Sequence, residues 1–302
     1  MMTFEEFSMY AKDHVTDLWE DKDQYEVNLC QVTKNNGHKV TNLQIRKKGE
    51  AIAPLIILRD YYVRYQARIP LDLVLEMICR NYFSGMESIE ECLKMQPDWE
   101  IVKNKIIFRL VNFRKNKKML KSAPHVPFAD LAVTFRWLAG TYEDKVGTIL
   151  IDNTLFQSFK MSEEELLTCA MENTKRLFPP KICTMEEMLL KLSGHDCRNE
   201  TVFSEDLSKV YVLTNEFGVN GASAILYDHV LEEFSDTIDG DFYVIPSSIH
   251  EVLLVPMDTD MEPETIRRII HEVNTVAVNP DDYLSDSLYC YEREKGYLCL
   301  AD

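Results

Sequence analysis

The sequence predicts an α+β fold with largely antiparallel sheets and packed helices, arranged as two domains. Neighbouring apolar runs of strand length are joined by short polar turns, and amphipathic helices lie between these hairpins. A length of 302 residues suits two modest domains better than one. Two prolines within four residues, in the segment from Ser122 to Pro127, mark the boundary between predicted domains 1–122 and 123–302.

The first domain is predicted to begin with a helix and a three-stranded meander, followed by further helices. Thr3 and Glu6 form a capping box ahead of apolar residues at helical spacing. Asn36-Gly37 is the pair that best tolerates positive φ in a tight hairpin turn. Residues 106–111 fit a strand or a helix, because periodicity alone does not separate the two. The predicted elements are a helix over 3–19, strands over 25–29, 41–45 and 53–58, and helices over 59–67, 70–83 and 87–104.

Hairpins and helices also alternate in the second predicted domain. Capping boxes of Ser162 with Glu165 and of Thr184 with Glu187 predict two helix starts, and Gly296 suits the turn of a final hairpin. The predicted elements are a hairpin of 129–139 with 146–152, helices over 162–179 and 184–194, strands over 210–213, 242–246 and 251–255, helical segments over 222–226, 230–238 and 262–273, and a hairpin of 289–291 with 297–300.

Charge and cysteine usage exclude several classes of protein. The net charge of -17 disfavours general nucleic-acid binding and suits a basic protein partner. None of the eight cysteines forms a C-x-x-C pair, and several lie in apolar runs, which is typical of reduced core cysteines. We expect a cytoplasmic protein without a signal peptide or a membrane segment. We predict no cofactor, because the sequence has no Walker A or Rossmann glycine motif.

A basic segment after Val102 stands apart from this acidic composition. It contains eight basic residues and no acidic residue. Such a run could bind phosphates or an acidic partner, or it could neutralise the protein's own surface. We favour neutralisation, because Phe108 and Phe113 are too few to form a stacking platform. The candidate binding residues are Lys103, Lys105, Arg109, Arg114, Lys115, Lys117, Lys118 and Lys121.

The densest set of reactive side chains lies between two short apolar runs in the second predicted domain. Ser248, His250 and Glu251 could serve as the nucleophile, base and acid of a hydrolase. Neighbours in a tight turn point in different directions, however, and no G-x-S-x-G elbow presents a strained serine. We therefore favour a solvated hairpin turn and predict no catalytic residue.

Two further clusters contain residue types that bind metal ions. One resembles a fragment of a zinc site but has no second ligand pair nearby. The other alternates carboxylates that could bind calcium or magnesium, which would make a hydrolase metal-dependent, but it lacks the glycine and distal glutamate of an EF-hand. A loop and an acidic helix start explain the two clusters better, and no metal site is predicted. The clusters are His195-Asp196-Cys197 and Asp258, Asp260, Glu262 and Glu264.

Several segments together resemble known families. Residues 2–7, 32–37, 52–54, 211–215, 221–227, 230–234 and 240–256 carry the likeness and span most of the chain. They resemble an uncharacterised family of intestinal Firmicutes, domain of unknown function 5688. Residues 165–173 and 240–254 are more weakly similar to the YtpQ-like proteins, a second uncharacterised family. Both resemblances imply an intracellular bacterial α+β protein without a known reaction. The first also implies a setting on mobile elements.

The sequence thus predicts a non-catalytic binding or regulatory protein. Its acidic C-terminal domain is expected to engage a basic protein partner, and the resemblance places it on a mobile element. Two alternatives stay open: a hydrolase that uses Ser248, His250 and Glu251 or a carboxylate-bound metal, and a nucleic-acid binder that uses residues 103–121.

Overall fold

The computed structural model describes residues 1–17, 19–49, 53–94, 102–142, 145–193, 209–257, 262–276 and 278–301. In these residues helices accompany three sheets whose strand pairs are all antiparallel, which confirms the α+β prediction. The chain divides into two compact units, Met1–Pro97 and Asp98–Asp302. The boundary predicted between residues 122 and 123 therefore falls inside the second unit.

The first unit packs three helices on a three-stranded sheet. The capping box at Thr3 and Glu6 forms as predicted, with the backbone N–H of Glu6 donating to Thr3 Oγ1 at 3.2 Å. Asn36 and Gly37 have φ values of 59° and 72° in the hairpin turn. The elements are α1 (Phe4–His14), β1 (Tyr25–Thr33), β2 (Lys39–Lys47), β3 (Leu55–Ile57), α2 (Leu58–Gln66) and α3 (Leu71–Lys94).

The core of this unit lies between the sheet and the helices. Phe7 from α1, Leu43 from β2, and Leu58 and Ile78 from α2 and α3 are all fully buried. Burial of such side chains is the main source of stability for a unit of this size. The unit contains none of the candidate binding residues.

The second unit begins with a four-stranded sheet built around one long strand. Its strands are β4 (Ile106–Asn112), β5 (His125–Phe128), β6 (Leu131–Tyr142) and β7 (Lys145–Leu150). β4 pairs with one side of β6, and β5 and β7 follow one another along its other side. The undecided residues 106–111 are thus strand. β4 is buried on both faces except at Arg109, which explains why its sequence does not alternate.

A six-stranded sheet forms the rest of the second unit. Its strand order is β13-β12-β10-β11-β9-β8. The strands are β8 (Pro180–Thr184), β9 (Tyr211–Asn215), β10 (Phe242–Ile245), β11 (Val252–Pro256), β12 (Tyr289–Glu292) and β13 (Tyr297–Leu300). The final hairpin forms as predicted, with Gly296 at a φ of 67°. β8 was not predicted, because Pro179 and Pro180 at its start favoured a break between helices.

Helices and a 3-10 segment pack around these two sheets. Two side chains of one helix form hydrogen bonds with the backbone of β4 along the edge that pairs with no other strand of the described residues. The backbone N–H of Phe108 donates to Thr174 Oγ1 at 2.9 Å. Asn173 Nδ2 donates to the Ile106 carbonyl at 3.1 Å. The helices are α4 (Lys117–Leu120), α5 (Asn153–Phe159), α6 (Glu163–Leu177), α7 (Met185–Ser193), α8 (Val230–Ile238) and α9 (Pro263–Val276), and the 3-10 segment is Gly221–Leu226.

One carboxylate links the two sheets of this unit. Asp130, in the turn between β5 and β6, accepts hydrogen bonds from Ser285 Oγ at 2.6 Å, Ser287 Oγ at 3.1 Å and the Tyr289 hydroxyl. Burial and this carboxylate raise the pKa of Tyr289, so that the phenol remains a donor. In the described residues, no helix has the length and apolar character that crossing a bilayer requires.

Candidate functional site

Both ring nitrogens of His250 are occupied by partners other than the predicted ones. Nδ1 accepts the backbone N–H of Asn220 at 3.3 Å, which leaves the ring proton on Nε2, 3.2 Å from Asp282 Oδ1. Ser248 Oγ accepts the backbone N–H of His250 at 3.0 Å. In the described part of the chain, neither Ser248 nor Glu251 is hydrogen-bonded to the imidazole. The arrangement needed for a Ser248–His250–Glu251 hydrolase is therefore not assembled.

Hydrogen bonds to backbone carbonyls connect the segment around His250 to its neighbours. Thr214 Oγ1 donates to the His250 carbonyl at 2.8 Å, and the backbone N–H of Ala222 donates to the Ile249 carbonyl at 3.2 Å. The hydrogen bond from His250 is the main cause of the lowered pKa of Asp282. These contacts indicate that His250 holds the β10–β11 turn, the 3-10 segment and the loop at Asp282 together.

The predicted basic segment falls into three parts in the structure. Lys103 and Lys105 lie in a 3-10 turn before β4, Arg109 lies within β4, and the remaining five residues are exposed on the turn after β4 and around α4. Lys115 Nζ lies 3.4 Å from the centroid of the Tyr283 ring, a cation–π contact. The other four exposed residues, here named the basic surface, are Arg114, Lys117, Lys118 and Lys121.

The basic surface is not neutralised by ion pairs within the described residues. No aspartate or glutamate of that part of the chain lies within salt-bridge distance of its four members. Neutralisation of the acidic surface, which we favoured from the sequence, acts over a Debye length and does not require such close pairs. Both interpretations of these charges therefore stay predictions, and the four side chains are free of close ion pairs in the described residues.

Two arginines lie on one face of the four-stranded sheet, next to this surface. Arg109 of β4 stands opposite Thr134 of β6, and Ile107 stands opposite Arg136. Arg109 and Arg136 are therefore diagonal neighbours, a relation that places Cβ atoms roughly 7–8 Å apart. We call them the arginine pair.

Apolar clusters flank the arginine pair on both sides along the sheet. One contains Ile107, Leu138 and Phe178, and the other contains Val111, Ala132 and Leu120. Leu120 belongs to α4, so the helix that carries Lys117 and Lys118 packs on the sheet one cross-strand pair away from Arg109 and Thr134. The arginine pair and the basic surface are consequently adjacent.

The guanidinium groups of the arginine pair lack partners for part of their donors. Both Nε atoms are shielded from solvent and have no hydrogen-bond acceptor in the described residues. Arg136 Nη1 donates to Thr148 Oγ1 at 3.4 Å. Burial lowers the pKa of Arg109 to about 9; the charge of Arg136 adds to the effect, and the carboxylates of Asp282 and Asp281 oppose it. Burial lowers the pKa of Arg136 to about 10. Both groups stay protonated at neutral pH, so this face holds two partly desolvated positive charges.

The sequence predicted one member of the arginine pair and missed the other. Arg109 was recognised through its basic neighbours, whereas Arg136 stands alone among Val133, Phe135 and Trp137. A charged residue at an inward position of an apolar strand was the available signal, since such residues are seldom buried without a partner.

Of the two clusters that we weighed as metal sites, only Glu262 and Glu264 lie within the described residues. Glu262 and Glu264 lie at the start of α9, as the helix interpretation expected, and Glu264 forms an ion pair with Arg267 at 2.7 Å. The other candidates, His195, Asp196, Cys197, Asp258 and Asp260, lie outside the described residues.

Comparison with known proteins identifies a family whose function is unknown. A model described as a family of unknown function, DUF5688, matches residues 4–293. No curated protein and no solved structure gave a significant match. The first resemblance seen in the sequence is confirmed at the level of the family. Its assignment to intestinal Firmicutes and the likeness of the C-terminal half to YtpQ-like proteins stay predictions.

Proposed function

Because the chain belongs to the family of unknown function DUF5688, we propose its function from its own geometry: it is a non-catalytic binding protein whose second unit binds an acidic segment of a partner protein. The observation that carries this proposal is the arginine pair. Two cationic side chains with unsatisfied, buried Nε donors share one sheet face, and exposed cations border them.

An anion between the two guanidinium groups would offset the free energy lost by burying donors without acceptors. A buried donor without an acceptor costs about 1–3 kcal/mol, and more when the group is charged. Guanidinium groups bind carboxylates through two parallel N–H···O bonds, and the shape of the fork selects planar anions. A glutamate or aspartate side chain of the partner fits this requirement.

The charge of the whole protein favours a short acidic segment over a nucleic acid. Each exposed charge acts over a Debye length of about 8 Å at physiological salt. An acidic segment can stay within reach of the basic surface, whereas a longer polyanion would extend over a protein of net charge -17. Phe108 is buried and Phe113 packs beside Leu120, so neither ring offers a platform for bases.

The proposal reverses the partner charge that composition suggested. Net charge alone favoured a basic partner, but it does not say which part of the surface is in contact. A cytoplasmic setting agrees with the free thiols of the described cysteines. A regulatory role on a mobile element remains the part of the proposal that rests on the family resemblance.

Fluorescence anisotropy with a labelled oligo-glutamate peptide tests the proposal. We expect saturable binding that weakens with salt. Arg109→Gln should weaken it by about 30-fold or more, because a desolvated charge pair is worth roughly 2–5 kcal/mol. The double variant Lys117→Gln/Lys118→Gln should weaken it by about 5-fold, mainly at low salt.

The matched control removes two exposed lysines from the first unit. Lys34→Gln/Lys39→Gln changes the net charge equally and should bind the peptide as the wild type does. Equal binding by Arg109→Gln and the wild type, with both folded by circular dichroism, would contradict the proposal. Tighter binding of a single-stranded oligonucleotide of the same charge, lost in the same variants, would replace it with the nucleic-acid alternative.

A further inference from the structure

We propose that the final hairpin contains a binding site for a thiophilic divalent cation of the Zn²⁺ class. The ligands are Cys290 Sγ, Cys299 Sγ and one carboxylate oxygen of Glu292. These residues lie apart from the proposed partner-binding residues, so this inference does not depend on the proposed function.

The hairpin itself brings the three ligands together. Cys290 of β12 stands directly opposite Cys299 of β13, and their sulfurs are 3.4 Å apart. Glu292 follows Cys290 by two residues, so both side chains lie on the same face of the strand. All three ligand atoms lie within 4.8 Å of one another. A regular strand pair therefore supplies the ligands without any special loop.

The spacing is close to what tetrahedral zinc needs. Two Zn–S bonds of about 2.3 Å at a tetrahedral angle place the sulfurs about 3.8 Å apart, and a Zn–O bond is about 2.0–2.2 Å. The sulfurs of Cys290 and Cys299 would move apart by a few tenths of an ångström. Cys290 is buried, while Cys299 and Glu292 are half-buried, so solvent reaches part of the cluster and water can supply a fourth ligand.

A neighbouring lysine completes the surroundings of the carboxylate. Lys295 Nζ donates to Glu292 Oε1 at 2.6 Å, which leaves Oε2 for a metal ion. Metal-bound carboxylates are usually hydrogen-bonded in this way through their second oxygen. Two thiolates, one carboxylate, a divalent cation and the ammonium group of Lys295 sum to zero charge, which suits a partly buried site.

The donor set selects the class of metal. Thiolate ligands favour zinc and similar soft cations, whereas calcium and magnesium require oxygen ligands. The sequence did not suggest this site because eight residues separate Cys290 from Cys299, where a C-x-x-C pair has two. The hairpin predicted around Gly296 placed the two cysteines on neighbouring strands but did not fix their register.

The test is a titration of the reduced, chelator-treated protein with Co²⁺ and Zn²⁺. We expect one equivalent of Co²⁺ to produce a thiolate-to-cobalt absorption band, which Zn²⁺ then removes. Zn²⁺ should also raise the melting temperature, because the folded hairpin holds the three ligands together and so binds the ion more tightly than the unfolded chain does. Cys290→Ser and Cys299→Ser should abolish the band. Glu292→Gln should lower the Zn²⁺ affinity by about 10-fold or more, in competition with a chromophoric chelator.

Controls separate this site from the other thiols. Cys30→Ser and Cys169→Ser remove half-buried free thiols elsewhere and should leave the titration unchanged. Cys197→Ser should also leave it unchanged, which excludes the cluster at His195. Failure of the reduced protein to bind one equivalent would overturn the inference. So would a band that survives in Cys290→Ser, or a Cys290–Cys299 disulfide that persists under reducing conditions and blocks the metal.

Discussion

Gly221 is the position where a single methyl group should test the structural role of His250. A Cβ atom at Gly221 would lie far inside contact distance of Thr214 Oγ1 and the His250 carbonyl oxygen, and 2.8 Å from Thr214 Cα. Two of these three atoms belong to backbone, which cannot turn away as the end of a flexible side chain can. Gly221→Ala must therefore separate the 3-10 segment from β9 and from the turn at His250.

The loss of stability in Gly221→Ala is estimated from the contacts that break when the 3-10 segment moves away from β9 and the turn at His250. Overpacking of a closely packed site costs about 1–3 kcal/mol. The hydrogen bonds from Thr214 Oγ1 to the His250 carbonyl and from Ala222 to Ile249 contribute roughly 1 kcal/mol each. We expect Gly221→Ala to destabilise the second unit by about 3–5 kcal/mol. With a urea m-value of about 2.5 kcal/mol/M, the unfolding midpoint should fall by about 1.5 M.

Hydrogen exchange in a urea series is the suitable assay, because a chain with two compact units need not unfold in one step. Amides of β9 and β11 report the second unit, and amides of β2 serve as an internal reference that should not change. Gly240→Ala is the matched control: its new Cβ would have only the Ile238 carbonyl oxygen near it, at 3.9 Å. A loss below about 1 kcal/mol in Gly221→Ala would show that the turn at His250 adapts freely, and would refute this reasoning.

Two further substitutions test other contacts of the second unit. Asp282→Asn should lower the free energy of unfolding at pH 7. The pKa of Asp282 is lowered, chiefly by the hydrogen bond from His250. The stabilisation that the carboxylate contributes is therefore present above its ordinary pKa of 3.8 and is lost as the pH falls through the lowered pKa. Urea unfolding midpoints of the variant and the wild type should therefore converge in acid, and a constant difference down to the lowest pH would contradict the assignment. Thr174→Val removes the acceptor of the Phe108 N–H and should cost about 1–3 kcal/mol, with faster exchange of that amide. Thr168→Val, which changes an exposed hydroxyl on the same helix, should be nearly neutral, and equal costs for the two variants would count against the role given to Thr174.

Local signals in the sequence predicted most elements, and their failures have physical causes. The capping boxes at Ser162 and Thr184 form as predicted, because a cap is decided by residues three apart. Residues 106–111 gave no decision, because a strand buried on both faces does not alternate. The proline-rich link carries a similar lesson: the pairing of β4 with β6, which the sequence did not reveal, spans the segment where we predicted a domain boundary.

The candidate sites depended even more on contacts between distant residues. Asp282, the partner of His250, lies 32 residues further along the chain, and Glu251, the nearer carboxylate, does not reach the ring. Arg109 and Arg136 become neighbours only through the register of β4 with β6. Sequence reasoning supplied the residue types correctly, but register and loop packing decided which of them meet.

The contrast between His250 and the arginine pair shows how a structural polar group differs from a binding site. His250 has both ring nitrogens satisfied, so a ligand would gain nothing there without first breaking those bonds. Other buried atoms also lack partners, among them Trp137 Nε1 on the opposite face of β6. Trp137, however, is a neutral group whose unsatisfied donor is isolated. Arg109 and Arg136 place two positive charges and two unsatisfied donors on one face, so their costs add and a single anion can offset both. We therefore expect a bound anion to stabilise the second unit of the wild type, and to have no such effect on Arg109→Gln.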